Sequence, residues 1–370
     1  MKLSDTITPA FGANGCRTVG HQTSALNPPP ARKSRLAADG LLLITACLWG
    51  VTFVAQKDAV GVMPPLAYVA SRFAVSALAL APLALFEQRS ARRKAGPGAM
   101  KLAFAIGLTL FLGTSLQQAG LETTSATNGG FLTACYVVLT PFVAWALSGA
   151  RPRAVALAAS LVSLIGAWLL AAGGGPAAPS TIGDGLVLLA DFAWAAGITL
   201  TPVFLVRAAR PLTLAFVQYA VCGALAALSS LAVETVEPHA FVEAAPSILF
   251  AGLVSGAVAY TLQIFAQRST PPAEAALILS LESVFAALAG AVLLGERLTL
   301  LGAAGCLMIL VGAAAVEAAP ALAHAFGRNQ PQPHAPPPPS PVERRGVPSG
   351  PAMAAGDGAA LADRRKASRA

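Results

Sequence analysis

Ten apolar stretches, each close to the roughly 20 residues that span a bilayer as a helix, follow one another along this chain with only short polar punctuation between them. They lie near 37–57, 64–86, 100–119, 124–148, 153–173, 183–206, 211–233, 246–267, 272–294 and 298–317. A backbone inside hydrocarbon must satisfy its own hydrogen bonds, which leaves helices or a closed barrel, and runs of this length and continuous apolarity point to helices. Charged residues make up 11% of the chain, against about 25% in a soluble domain, so the expectation is an all-α integral membrane protein. Residues 1–36 and 319–370 differ in kind. The first carries "NPPPARKSR", the second "QPQPHAPPPPSPVERR" and the basic end "DRRKASRA", and both read as disordered tails. The opening "MKLSDTITPAFGANGC" is too polar and too broken by Pro and Gly for a cleavable signal, so the first span is expected to act as its own insertion signal.

Lys and Arg alternate sides with the spans. One side receives Arg32, Lys33, Arg35, then Arg89, Arg92, Arg93, Lys94 and Lys101, then Arg151 and Arg153, then Arg207 and Arg210, then Arg268 and the tail; the other receives Lys57 and Arg297. By the positive-inside bias, both termini are expected in the cytoplasm of a cell (inner or cytoplasmic) membrane protein. The net charge of +8 is thereby assigned to topology and tail. No nucleic-acid partner is read into it, although the basic tail could rest on anionic lipid.

The chain repeats itself. "ADGLLLITACLWG" at 38–50 matches "GDGLVLLADFAWA" at 183–195, aligning Asp39 with Asp184 and Trp49 with Trp194. "LQQAGLETTSATNGGFLTACYVV" at 116–138 parallels "LQIFAQRSTPPAEAALILSLESVF" at 262–285. Two units are expected, 37–175 and 182–317, with five spans each. An odd number of crossings per unit makes them inverted copies about an axis in the membrane plane.

Several intramembrane side chains do not fit a purely structural role. Glu282 sits in "ALILSLESVFAAL" with no other ionisable residue between Glu274 and Glu296; a carboxyl at that depth costs about 2.5 to 3.5 kcal/mol and defaults to a functional group. Its alternatives are a cavity group that binds protons, cations or a substrate amine, and a protonated interhelical contact. Arg72 either snorkels to the headgroups or faces a cavity, where it could pair Glu282 or Asp191 or hold a solute carboxylate. Asp191 is either functional or bonded to nearby hydroxyls. Glu274, after "STPP", is explained by the helix N-terminal dipole. Trp49, Trp194 and Tyr136 are candidate cavity walls. Gln117, Asn128 and Gln263, with Thr52, Gln56, Gln118, Gln218, Tyr219 and Tyr260, could bind solute or bond between helices. The five cysteines are scattered singly and the four histidines fall in loops and tails, so neither a metal site nor a cofactor is expected and a membrane enzyme is disfavoured. A GxxxxGK[ST] phosphate loop is absent, which directs any coupling to an ion or solute gradient.

At "LWGVTFVAQK", Arg72 in "PPLAYVASRFAVSALAL", "GTSLQQAGLETTSATNGGFL", "AYTLQIFAQRSTPPAEAALILSLESVFAALAG" and "LLGERLTLLGAAG" the chain resembles the drug/metabolite transporter superfamily, and within it the EamA-type permeases of ten spans. The resemblance covers roughly residues 37–317. It departs at Ser283, where the family usually has proline, and at "SGARPR", 148–153, which lacks the glutamate of "LGERL". The resemblance implies export or uptake of a small metabolite, amino acid or drug by alternating access. Protons or another coupling ion, membrane lipid and a homo-oligomeric state stay open as partners. A structural or regulatory membrane protein that keeps the fold without transport is the competing expectation.

Overall fold

Proline opens three of the spans. Pro65, Pro211 and Pro272 each stand in the first helical turn, where their missing N–H has no partner to lose. The computed structural model describes residues 32–59, 61–91, 95–124, 126–149, 151–173, 181–293 and 297–325, and every regular element among them is helical. The first span is Arg32–Ala59, the second Pro65–Ser90, the third Ala99–Gly120, the fifth Ala154–Gly173, the sixth Thr181–Ala208, the seventh Pro211–Val233 and the tenth Leu300–Ala325. The fourth is divided into Ala126–Thr133 and Tyr136–Ser148, the ninth into Pro272–Leu279 and Glu282–Leu293, and the eighth runs through Ala245–Phe250, Ala251–Tyr260 and Thr261–Ala266. Among the described residues nine spans are long and apolar enough to cross a membrane, and the shorter apolar helix Leu300–Val316 brings the series to ten. Outward faces remain apolar, as at Leu78, Leu231 and Val292, which suits lipid as solvent.

The tails expected at either end fall largely outside the described residues. Helix nonetheless covers 32–36 and 319–325, both assigned above to irregular tail. The alanine-rich "VEAAPALAHA" has the propensity to prolong a helix already nucleated by the tenth span.

The inverted relation of the halves is visible in one pair of contacts. Glu234, directly after the seventh span, accepts from the amides of Leu66 (2.8 Å) and Ala67 (2.9 Å) in the first turn of the second. Glu87, near the end of the second span, accepts from Leu212 (3.2 Å) and Thr213 (2.6 Å) in the first turn of the seventh. Each carboxylate thus caps the other helix's unpaired N–H groups. This reciprocity requires the two helices to run antiparallel. The chain is all-α, built of two inverted five-span repeats.

Breaks fall at matching places in the two repeats. In the ninth span Ser280 Oγ donates to the Leu277 carbonyl at 2.7 Å, and in the fourth Thr133 Oγ1 donates to Gly129 at 2.8 Å. Such local bonds compete with the helix ladder and bend it. The ninth span is broken even though Ser283 stands where proline is usual in the resembling family. The eighth span is wound wider over Ala251–Tyr260, as a π-helix. Side chains of neighbouring spans bond its carbonyls: Thr45 Oγ1 to Ala259 (3.1 Å), Trp49 Nε1 to Ser255 (3.3 Å), Ser76 Oγ to Gly252 (2.7 Å) and Tyr219 Oη to Gly256 (3.0 Å).

Close approach at this segment needs glycine. A Cβ on Gly252 would meet the Arg72 backbone and Val75, and one on Gly256 would strike Ser76. Gly256→Val is expected to cost about 1 to 3 kcal/mol or more, the range typical of overpacking, and to lower the thermal unfolding midpoint in detergent. An unchanged midpoint would contradict this packing. Gly166 and Gly305 bring the fifth and tenth spans together in the same manner.

Candidate functional site

A cavity of about 780 Å³, its mouth included, lies where the repeats meet. Its walls come from the first four spans of each repeat, while the fifth and tenth contribute nothing to it. Laying the repeats over one another in the registers set by Trp49 with Trp194, by Pro65 with Pro211 and by Leu116 with Leu262 sorts part of the lining into pairs. Trp49 faces Trp194, Gln117 faces Gln263, Thr109 faces Ser255 and Gln56 faces Thr201. Two pairs break the symmetry: Arg72 corresponds to Gln218, and Glu282 to Tyr136. The pseudo-twofold axis therefore passes through a cavity with one cation donated by the first repeat and one acid donated by the second.

Arg72 does not snorkel. It is 5% exposed, its Nη1 donates to Gln56 Oε1 at 2.8 Å, and its guanidinium carbon lies 5.0 Å from the Phe73 ring centre and 5.5 Å from that of Tyr68. Such ring contacts favour a desolvated cation by about 0.5 to 2 kcal/mol. Neither Glu282 nor Asp191 forms an ion pair with it among the described residues, and its Nε has no hydrogen-bond partner. Of the alternatives for Arg72, pairing with Glu282 or Asp191 is not seen among the described residues; the guanidinium is held instead by Gln56 and the two rings.

Glu282 opens the second half of the broken ninth span and reaches the cavity 6% exposed. The Tyr136 hydroxyl approaches it outside normal hydrogen-bond geometry. Tyr136 opens the second half of the fourth span, so both breaks deliver their next residue into the same space. Asp191 is fully buried and does not line the cavity. It stands behind the wall, near enough to Cys135, Tyr136 and Glu282 to act on them electrostatically, and both its oxygens lack partners. Of its two alternatives, the contact with nearby hydroxyls is not made among the described residues.

Aromatic rings form one flank. Tyr260 lies 4.5 Å from Trp49, 6.0 Å from Trp194 and 6.2 Å from Phe73, centre to centre, distances at which rings attract beyond simple burial. Trp49 uses its N–H on the Ser255 carbonyl, whereas the Trp194 N–H has no acceptor. Gln117 Nε2 donates to Thr133 Oγ1 at 2.9 Å, and Gln263 Nε2 to Gln267 Oε1 at 3.2 Å. Asn128 lies in the first half of the fourth span; its side chain is outside the described residues. Thr52 bonds back to the Leu48 carbonyl, and Tyr219 stands outside the cavity wall. Thr109, Thr133, Thr201 and Ser255 also line the cavity, although their hydroxyls do not stand out in an apolar sequence. Extending the repeat register beyond its two strongest segments would have found Thr109 with Ser255.

Comparison with known proteins agrees with this architecture. The EamA-like transporter family model matches twice, over residues 36–172 and 181–317. A protein of Archaeoglobus fulgidus named an uncharacterized transporter is 32% identical over 278 residues, covering 75% of this chain and 84% of its own. A solved crystal structure superposes with a TM-score of 0.64 at 20% identity, covering 79% of this chain and 99% of its own, a likeness of fold. Two family repeats in tandem, each supplying half of one intramembrane cavity, make this chain a member of the EamA-like transporter family.

Proposed function

We propose that the protein is a secondary transporter that binds a small dipolar organic solute in the central cavity and carries it across the membrane by alternating access. One observation supports this most: Arg72 and Glu282, one basic and one acidic, line the same cavity, unpaired with each other among the described residues and each without an ionisable counterpart of its kind in the other repeat. A guanidinium with an unused Nε suits a carboxylate or similar oxyanion. A carboxylate across the cavity suits an ammonium or a proton, and the Trp49, Trp194 and Tyr260 rings suit an apolar body between the charged ends. Inverted repeats meeting at the site supply the two arrangements that alternating access needs.

The test is uptake and counterflow in proteoliposomes, with amino-acid-like zwitterions, simple carboxylates and simple amines compared at several pH gradients. Zwitterions are expected to move fastest. No flux above protein-free vesicles for any of the three classes would overturn the reading. In the same proposal the basic face is cytoplasmic, so a phosphatase fused after Ala370 is expected to be inactive in intact cells, while a fluorescent fusion there lights up. The reverse result would invert the topology.

A further inference from the structure

We propose that Arg35, Glu274 and Arg153 form an ionic latch that closes the cavity toward the basic face and opens once in each cycle; this rests on the transport reading above. Glu274 is the centre. Its side chain is 5% exposed, one oxygen takes Arg35 Nη2 and the other takes Arg153 Nη1 at 3.3 Å. Arg35 belongs to the first span, Glu274 to the ninth, and Arg153 to the segment entering the fifth. Three separate parts of the chain are therefore tied at one point. Beside it Arg35 Nε lies 3.9 Å from Asp39, whose other oxygen accepts from Thr270 at 2.9 Å. The helix dipole expected to account for Glu274 is only part of its setting.

Among the described residues the opposite face carries the corresponding joint with no ion pair across it. Asp184 accepts from Thr124 Oγ1 at 2.8 Å, the repeat image of Asp39 with Thr270. Where the latch has Glu274 and Arg153, however, the other repeat has Asn128 and Thr299. Parting an ion pair whose carboxylate is buried leaves that charge without a partner, which costs more than parting neutral hydrogen-bonded groups. The ion set therefore favours closure at the basic face over closure at the other.

Glu274 is also mechanically connected to the site. It stands in the first turn of Pro272–Leu279, an eight-residue half-helix about 12 Å long at 1.5 Å per residue. The far end of that rod leads through the break at Ser280 and Leu281 to Glu282 in the cavity. A solute or proton engaging Glu282 acts on the break itself, the joint about which the half-helix holding the latch can tilt.

The experiment places one cysteine at Thr201, a cavity-lining position, in a full-length chain whose own cysteines are replaced. It then measures the labelling rate by a membrane-impermeant maleimide applied to each face of oriented vesicles. Glu274→Gln and Arg153→Gln are expected to raise the rate from the basic face severalfold and lower it from the other, with Glu274→Asp close to the parent. Arg153 has a side chain 68% exposed, so its variant decides the matter should Glu274→Gln fail to insert. Unchanged rates from both faces in the variants that insert would overturn the latch. Absence of flux by the parent protein in every solute class, with the labelling shift intact in the variants, would instead sink the transport reading and leave the gate standing.

Discussion

Glu282→Gln leaves the protein folded and inserted but removes net transport or its dependence on pH. The amide keeps the shape of the carboxyl and can still donate and accept at the head of the second half of the ninth span, so the local structure has no reason to change. What is lost is the ability to carry charge and to exchange a proton. The side chain is buried in the cavity and without a cationic partner among the described residues, so its charge has to be met by the solute or by a proton. A hydrogen bond to a charged group is worth about 1.5 to 3 kcal/mol, or a loss of roughly 10- to 150-fold in affinity for the cationic end of the solute. The check is flux against pH for both proteins at matched reconstitution. Near-normal transport with the parent's pH dependence in the Gln variant would show that Glu282 is an interhelical contact and no more.

Arg72→Ala is expected to lower affinity for an anionic or zwitterionic solute by a comparable factor, about 10- to 150-fold on the same charged-bond estimate, and to leave an uncharged solute unaffected. Arg72→Lys separates two ways of using the cation. A lysine keeps the charge but has neither the planar fork nor the broad stack on Phe73 and Tyr68. If solute recognition is a matter of charge, Lys retains most of the binding; if it needs two parallel N–H donors, Lys fails as badly as Ala. Binding measured by thermal shift on purified protein reports this without flux, since a ligand stabilises the folded state according to its occupancy. Parent-like shifts in both variants would remove Arg72 from the site. Moving the guanidinium to its repeat-related position, in the double variant Arg72→Gln with Gln218→Arg, is expected to recover part of the binding, because the two positions face one cavity.

Residues 37–317 determined the class of fold without any coordinates. Length, apolarity and the ban on unpaired backbone in hydrocarbon leave helices, and the repeated "DGL…W" with an odd number of spans per repeat leaves an inverted pair. Two residues that line the cavity were legible as candidates, because an arginine and a glutamate deep in apolar runs carry an insertion cost that marks them out. Tertiary structure decided what one-dimensional spacing cannot express. It turned Arg72 inward onto Gln56 and two rings, placed Asp191 behind the cavity wall, and divided the fourth and ninth spans at repeat-related positions. It also brought Arg35, Arg153 and Glu274 together from three separate parts of the chain. Hydropathy is a property of a segment and survives reading one residue at a time. Pairing is a property of the packed bundle: whether a buried charge meets a counter-ion, a ring or an empty cavity depends on which helices cross and at what depth, and that is set by the contacts of all ten spans together.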